Sequence, residues 1–92
     1  MHGGAIALLF DEALGRLAER VADGSRTAYL RIDFLVLTPV AEDLNLQATI
    51  DKVDRRKIYI SGRLSRGGDA VATAHGLWVA PRPEHVPAVS SR

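Results

Sequence analysis

The chain contains no cysteine. That excludes disulfides, thiolate-bound zinc and a cysteine nucleophile, and it suits a reducing compartment. No charge of either sign dominates: 12 lysines and arginines against 11 aspartates and glutamates leave a net charge of +1. Nothing in the overall field therefore argues for nucleic acid or an anionic membrane surface as a partner. Long apolar runs are missing too. The longest, Ala5 to Phe10, is far short of a membrane span, and Asp11 and Glu12 end it. No Lys or Arg precedes it, as one would in a signal peptide. The three histidines are scattered without metal-ligand spacing. A soluble, cytoplasmic domain without a metal is expected.

With 92 residues, 47% apolar and 25% charged, the composition is that of one small globular domain. Such a domain buries roughly 60–65% of its unfolded surface, a thin margin that subunit association would widen. No internal repeat is visible. The expected organisation is a single domain over residues 1–82 followed by a flexible tail at 83–92, since Pro81 and Pro83 end regular structure.

Residues 4–22 read as one helix. Leu, Ala, Arg and Glu dominate, and no proline occurs before Pro39. Asp23-Gly24-Ser25 is a stop signal, with Gly24 placed for a left-handed cap. The first half of this helix is apolar nearly all round, which predicts that other structure encloses it.

The period then changes to two. From Ala28 to Leu37, Leu30, Ile32, Phe34 and Val36 share a face, with Tyr29, Arg31 and Asp33 opposite, until Thr38-Pro39 breaks the run. Leu44 to Ile50 and Ile58 to Leu64 alternate in the same way. Charged residues around 52–57 and then Gly67-Gly68-Asp69 mark turns, and Ala70 to Ala80 forms a last strand. Short connections predict an antiparallel meander for the later strands. One face of the last strand, Ala70, Ala72, Ala74, Gly76, Trp78 and Ala80, is mostly small, as close docking of a helix requires. The fold class is therefore α+β: about four antiparallel strands wrapped around one long N-terminal helix, with open edges that favour oligomers.

Asp11 needs an explanation that its neighbours do not. At i±3 and i±4 along the helix lie Ala7, Leu8, Leu14 and Gly15, so no cation is within reach. Glu12, by contrast, has Arg16 at i+4 in the favourable order. An unpaired carboxylate in an apolar surround is costly, is expected to have a raised pKa, and marks functional sites. Equally, Asp11 could lie on a solvated stripe with Gly15. Ahead of it, Gly3 and Gly4 let the backbone bend and a ligand approach. The first amides of a helix and its dipole attract negative charge, which suits an oxyanion.

His2-Gly3-Gly4, with Asp11 nine residues after the histidine, resembles the signature of hotdog-fold acyl-CoA thioesterases of the phenylacetate-degradation and 4-hydroxybenzoyl-CoA types. Thr38-Pro39 resembles the Ser/Thr-Pro after the family's first strand beyond the helix, and Val53 to Lys57 its Gly-Arg-Lys turn. The resemblance implies hydrolysis of a thioester to free acid and coenzyme A. Asp11 would be general base or nucleophile, and the Gly4 amide the oxyanion donor. His2 and Gly3 would shape the substrate pocket, and Tyr29 would stand where relatives place a Ser or Thr near the acid across an interface. Arg55, Arg56 and Lys57, or else Arg63 and Arg66, would meet the anionic end of coenzyme A, which enters as substrate rather than resident cofactor. It further implies homodimers or homotetramers with active sites between subunits. Members carry an edge strand and loop before His-Gly-Gly, so the chain is expected to lack that segment. A truncated subunit that binds acyl-CoA or only assembles is the alternative. A hotdog dehydratase, with its paired Asp and His, is disfavoured because residues 4–22 hold no histidine.

Overall fold

Why the chain settles into one helix on one sheet follows from its two apolar periods. The computed structural model describes residues 3–36 and 43–82. Helix α1 spans Gly3–Val21, and four strands follow: β1 Arg26–Phe34, β2 Leu44–Asp54, β3 Lys57–Arg66 and β4 Asp69–Val79. The strands form one antiparallel sheet in the order β1-β4-β3-β2. β2, β3 and β4 are the expected meander, and β1 closes the far side against β4. Among the described residues, no helix is long and apolar enough to cross a membrane.

Every fourth residue of α1, Ile6, Phe10, Leu14 and Ala18, is fully buried. Each large side chain buried in this way contributes roughly 1.5–3 kcal/mol. They meet Ile58, Ile60, Leu64, Ala72, Ala74 and Trp78 from β3 and β4. The helix comes close to the sheet at Gly62, where an added Cβ would stand 3.0 Å from Leu14 Cδ1 and from Phe10 Cε1. Nearer the end of the helix, Gly15 lies over the Trp78 indole, whose Nε1 has no hydrogen-bond partner among the described residues. Gly24, at φ 83°, then turns the chain toward β1, and its amide donates to Glu19 Oε1 at 3.0 Å.

The structure departs from the sequence pattern in several places, beginning with β1, which starts at Arg26 and has a register shift between Thr27 and Tyr29. The helix is covered on one side only: Leu8 is 65% exposed, because four strands make one layer and, among the described residues, nothing lies on the other. β1 ends at Phe34, so Leu35 and Val36 lie beyond it. β2 runs on past Ile50 to Asp54 through a bulge at Asp51, which brings Val53, rather than Lys52, into register with Ile58. A further bulge at Val71 pairs Ala70 with Ser65 and so removes Ala70 from the small face that Ala72, Ala74 and Gly76 keep. Thr38-Pro39 and the tail at 83–92 lie outside the described residues.

Candidate active site

Helix α1 carries three acids, and the structure accounts for two of them. Glu12 meets Arg16 at 3.6 Å, the expected pair one turn on. Glu19 accepts the Gly24 amide at the helix end. Asp11 has no hydrogen bond or ion pair among the described residues. Its side chain is exposed, so the described residues do not form the apolar surround expected of it.

Gly4 stands seven residues before Asp11. Seven residues are nearly two helical turns, so both lie on the same side of α1, roughly 10 Å apart along its axis. Leu8, one turn before Asp11, shares that side. Gly3 opens the helix, and no acid of its own occupies the first turn, where the positive end of the dipole lies. His2 lies outside the described residues. This outer stripe thus combines a helix start suited to an anion, an exposed leucine and an acid without a partner among the described residues.

Other candidate residues are not brought to Asp11 within one chain. Tyr29 pairs with Leu77, out of phase with the helix-facing Gly76 and Trp78, so it lies on the opposite side of the sheet. Arg55 and Arg56 form the two-residue turn between Asp54 and Lys57. That turn sits at the sheet end where α1 finishes, since Lys57 and Arg26 both pair with Val79. Arg63 donates to the Gly68 carbonyl at 3.0 Å, and Arg66 pairs with Asp69, both at the other end of β3. Sequence reasoning missed Arg26 as a companion of Arg56 and Lys57. Nothing in linear spacing marks it, because only the β1–β4–β3 pairing unites them. Among the described residues, no three His, Asp or Glu side chains cluster as metal ligands would.

Set beside known proteins, the chain matches the family model described as thioesterase superfamily over residues 1–73. It is 31% identical over 83 residues to the Pseudomonas aeruginosa protein PA0474, which is named provisionally as an esterase, covering 87% of this chain and 62% of that one. It is 35% identical over 60 residues to the mouse acyl-coenzyme A thioesterase THEM5, covering 65% of this chain and 24% of the relative. Among solved structures, the BH2602 protein of Bacillus halodurans with coenzyme A superimposes with a TM-score of 0.74 at 26% identity, covering 86% of this chain and 54% of that one. The chain thus spans less than two thirds of the length of these relatives. One helix laid on an antiparallel sheet, together with a family match over most of its length, makes this chain a member of the thioesterase superfamily with the hotdog fold.

Proposed function

We propose that the protein hydrolyses an acyl-CoA thioester to a free acid and coenzyme A. The observation that carries this reading is Asp11, the one acid of α1 that neither an arginine nor a backbone amide engages among the described residues. As general base, its carboxylate takes a proton from water as the water oxygen attacks the thioester carbonyl. The carbon–sulfur bond then breaks, and the proton passes to the departing thiolate. As nucleophile, the carboxylate attacks the carbonyl itself, the carbon–sulfur bond breaks to release the coenzyme A thiolate, and water then cleaves the resulting anhydride, its proton passing to the thiolate. In either case the carbonyl oxygen becomes an oxyanion, and the Gly4 amide, in the first turn of α1 on the side of Asp11, is its donor.

Arg55, Arg56 and Lys57 receive the nucleotide end of coenzyme A, and His2, Gly3 and Tyr29 line the rest of the site. Coenzyme A enters only as part of the substrate, and the cytoplasm is where the protein works. The Asp11 stripe and the cationic turn lie toward opposite ends of α1, and Tyr29 is across the sheet. A homodimer or homotetramer, placing one subunit's turn or Tyr29 near another's Asp11, reconciles them. Exposed Leu8 and the open edges of β1 and β2 support such association. The same features also fit a subunit that only binds acyl-CoA.

Short, medium and aromatic acyl-CoAs offered to the purified protein, with released thiol measured, decide between these readings. Turnover that Asp11→Asn abolishes is the expected result. Binding without turnover favours the non-catalytic subunit, and turnover unchanged in Asp11→Asn removes the aspartate from the chemistry.

A further inference from the structure

Glycine suits the inside of a helix less well than any residue but proline, yet α1 holds one at position 15. The glycines of the turns and strands answer to the fold. Gly24, Gly67 and Gly68 have positive φ. At Gly62 and Gly76 an added Cβ would stand 3.0 Å from Leu14 Cδ1 and 2.4 Å from Trp78 Cζ3, too near for a side chain without displacement. Gly15 has no such reason. Among the described residues, the one atom outside its own stretch of helix that an added Cβ would meet is Trp78 Nε1, at 3.8 Å, an ordinary contact. Alanine would fit there and would favour the helix.

The same spot holds a second departure from a well-satisfied fold. Trp78 is 1% exposed, and its indole N–H has no acceptor among the described residues, although buried donors normally have one. Gly15 lies four residues after Asp11, one helical turn on, or roughly 6 Å along the axis. Leu8, 65% exposed, lies one turn before Asp11 on the same flank. Asp11 is thus set between a protruding leucine and a notch, where a side chain is missing and an indole edge lies behind. Neither the glycine nor the orphaned N–H adds stability to the chain by itself.

From this geometry, and resting on the acyl-CoA reading above, we infer that Gly15 is a specificity-determining residue. The space left by its missing side chain receives the acyl group and admits acyl groups that are broad beside the carbonyl, branched or aromatic. Attack by Asp11, or by a water it holds, brings the thioester carbonyl within a few ångströms of the carboxylate. Atoms one turn further on are then the first carbons beyond the carbonyl. Bulk is therefore sensed there rather than at the far end of a long chain. The carrier arm suits the notch less well. Its amides need both donors and acceptors, whereas the backbone groups of a helix interior are already bonded to one another and Trp78 offers a single N–H. With Trp78 fixed in the core behind it, a methyl at position 15 could not move aside for the substrate.

Two measurements on the unaltered protein, Gly15→Ala and Gly15→Val test this. One is kcat/KM for acetyl-, isobutyryl- and benzoyl-CoA. The other is calorimetric affinity for the non-hydrolysable thioethers S-ethyl-, S-isobutyl- and S-benzyl-CoA. The urea midpoint of Gly15→Ala is expected to rise, because alanine favours the helix. Its preference for benzoyl over acetyl falls on the order of tenfold, with isobutyryl between them, and Gly15→Val falls further. A protein made more stable while it loses its broad substrates has a place kept open for ligand, a signature that lost folding does not imitate. Unchanged ratios between acyl groups overturn the inference. So does an equal loss for all three, which would put the carrier arm in the notch, and so does a lower midpoint in Gly15→Ala, which would make the glycine a need of the fold. A graded loss across the thioethers without hydrolysis of any thioester keeps the notch and removes the proposed activity. Hydrolysis with unchanged ratios keeps the activity and removes the notch. A protein that neither hydrolyses the thioesters nor binds the thioethers removes both.

Discussion

The two sides of α1 are built from the same few residue types, yet the fold explains only one of them. On the inner side Ile6, Phe10, Leu14 and Ala18 recur every fourth residue and vanish completely into β3 and β4. On the outer side Gly4, Leu8 and Asp11 recur at nearly the same interval and stay uncovered by the sheet: Leu8 is 65% exposed and Asp11 lacks a partner among the described residues. An exposed apolar residue and an unpaired acid both cost little in water, but neither contributes to this domain's stability. A helix needs no such outer stripe to dock on a sheet. The difference separates residues held by packing from residues available for chemistry.

Substitutions on the two sides should therefore fail in different ways. Asp11→Asn keeps the shape of the side chain and removes its proton-accepting charge. It is expected to lower turnover by about 10²- to 10⁴-fold while the urea midpoint stays within error. A lost midpoint together with lost turnover would show that Asp11 belongs to the packing after all. Phe10→Ala, one residue away, is expected to cost about 3–5 kcal/mol of folding stability. That is a large share of the ~5–15 kcal/mol that holds a domain together, and denaturant unfolding reads it directly. Gly62→Ala tests the same inner contact from the sheet. The added methyl would stand 3.0 Å from Leu14 Cδ1 and Phe10 Cε1, both fully buried with no room to withdraw. A loss of about 1–3 kcal/mol is expected, against the small gain alanine would bring to an uncrowded strand. Stability equal to that of the unaltered protein would mean that the helix can lift off the sheet at little cost.

The inner side was the easier one to read from the sequence. A helix over residues 4–22 and strands of alternating residues follow from periodicity, and the observed Gly3–Val21, β3 and β4 agree closely. Gly24 reads as a left-handed cap and has φ 83°. What periodicity could not supply is the phase shift at a bulge. Alternation through Ile50 gives no sign that Asp51 drops out of register and Val53 comes opposite Ile58, because a bulge depends on the partner strand. The same holds for Val71 and Ala70. At the site, Asp11 could be singled out because helical neighbours are fixed by sequence, and the absence of a cation at i±4 is visible in the letters. The surround of Asp11 could not, since enclosing the outer side takes atoms that the described residues do not place there. Arg26 was hidden for a third reason: its neighbours Val79 and Lys57 are brought to it only by two strand pairings.

The smallest expected effect sharpens the contrast most, because it concerns the acid next to Asp11. Glu12 and Asp11 are adjacent and both exposed, and composition alone gives no ground for treating them differently. Glu12 has Arg16 at 3.6 Å, with both side chains mostly in water, so the pair contributes only about 0.2–0.5 kcal/mol to the helix. Glu12→Gln should lower the urea midpoint barely, less so in high salt, where the pair is already screened. Turnover of acyl-CoA should not change. If Glu12→Gln lowered turnover as far as Asp11→Asn, the region would be responding to negative charge in general, as it would if the acids merely attracted or repelled a ligand. If only Asp11→Asn did so, position on the helix rather than charge would be the cause. The seven-residue interval from Gly4, which Asp11 has and Glu12 lacks, would then be the feature that makes one of two neighbouring carboxylates chemical.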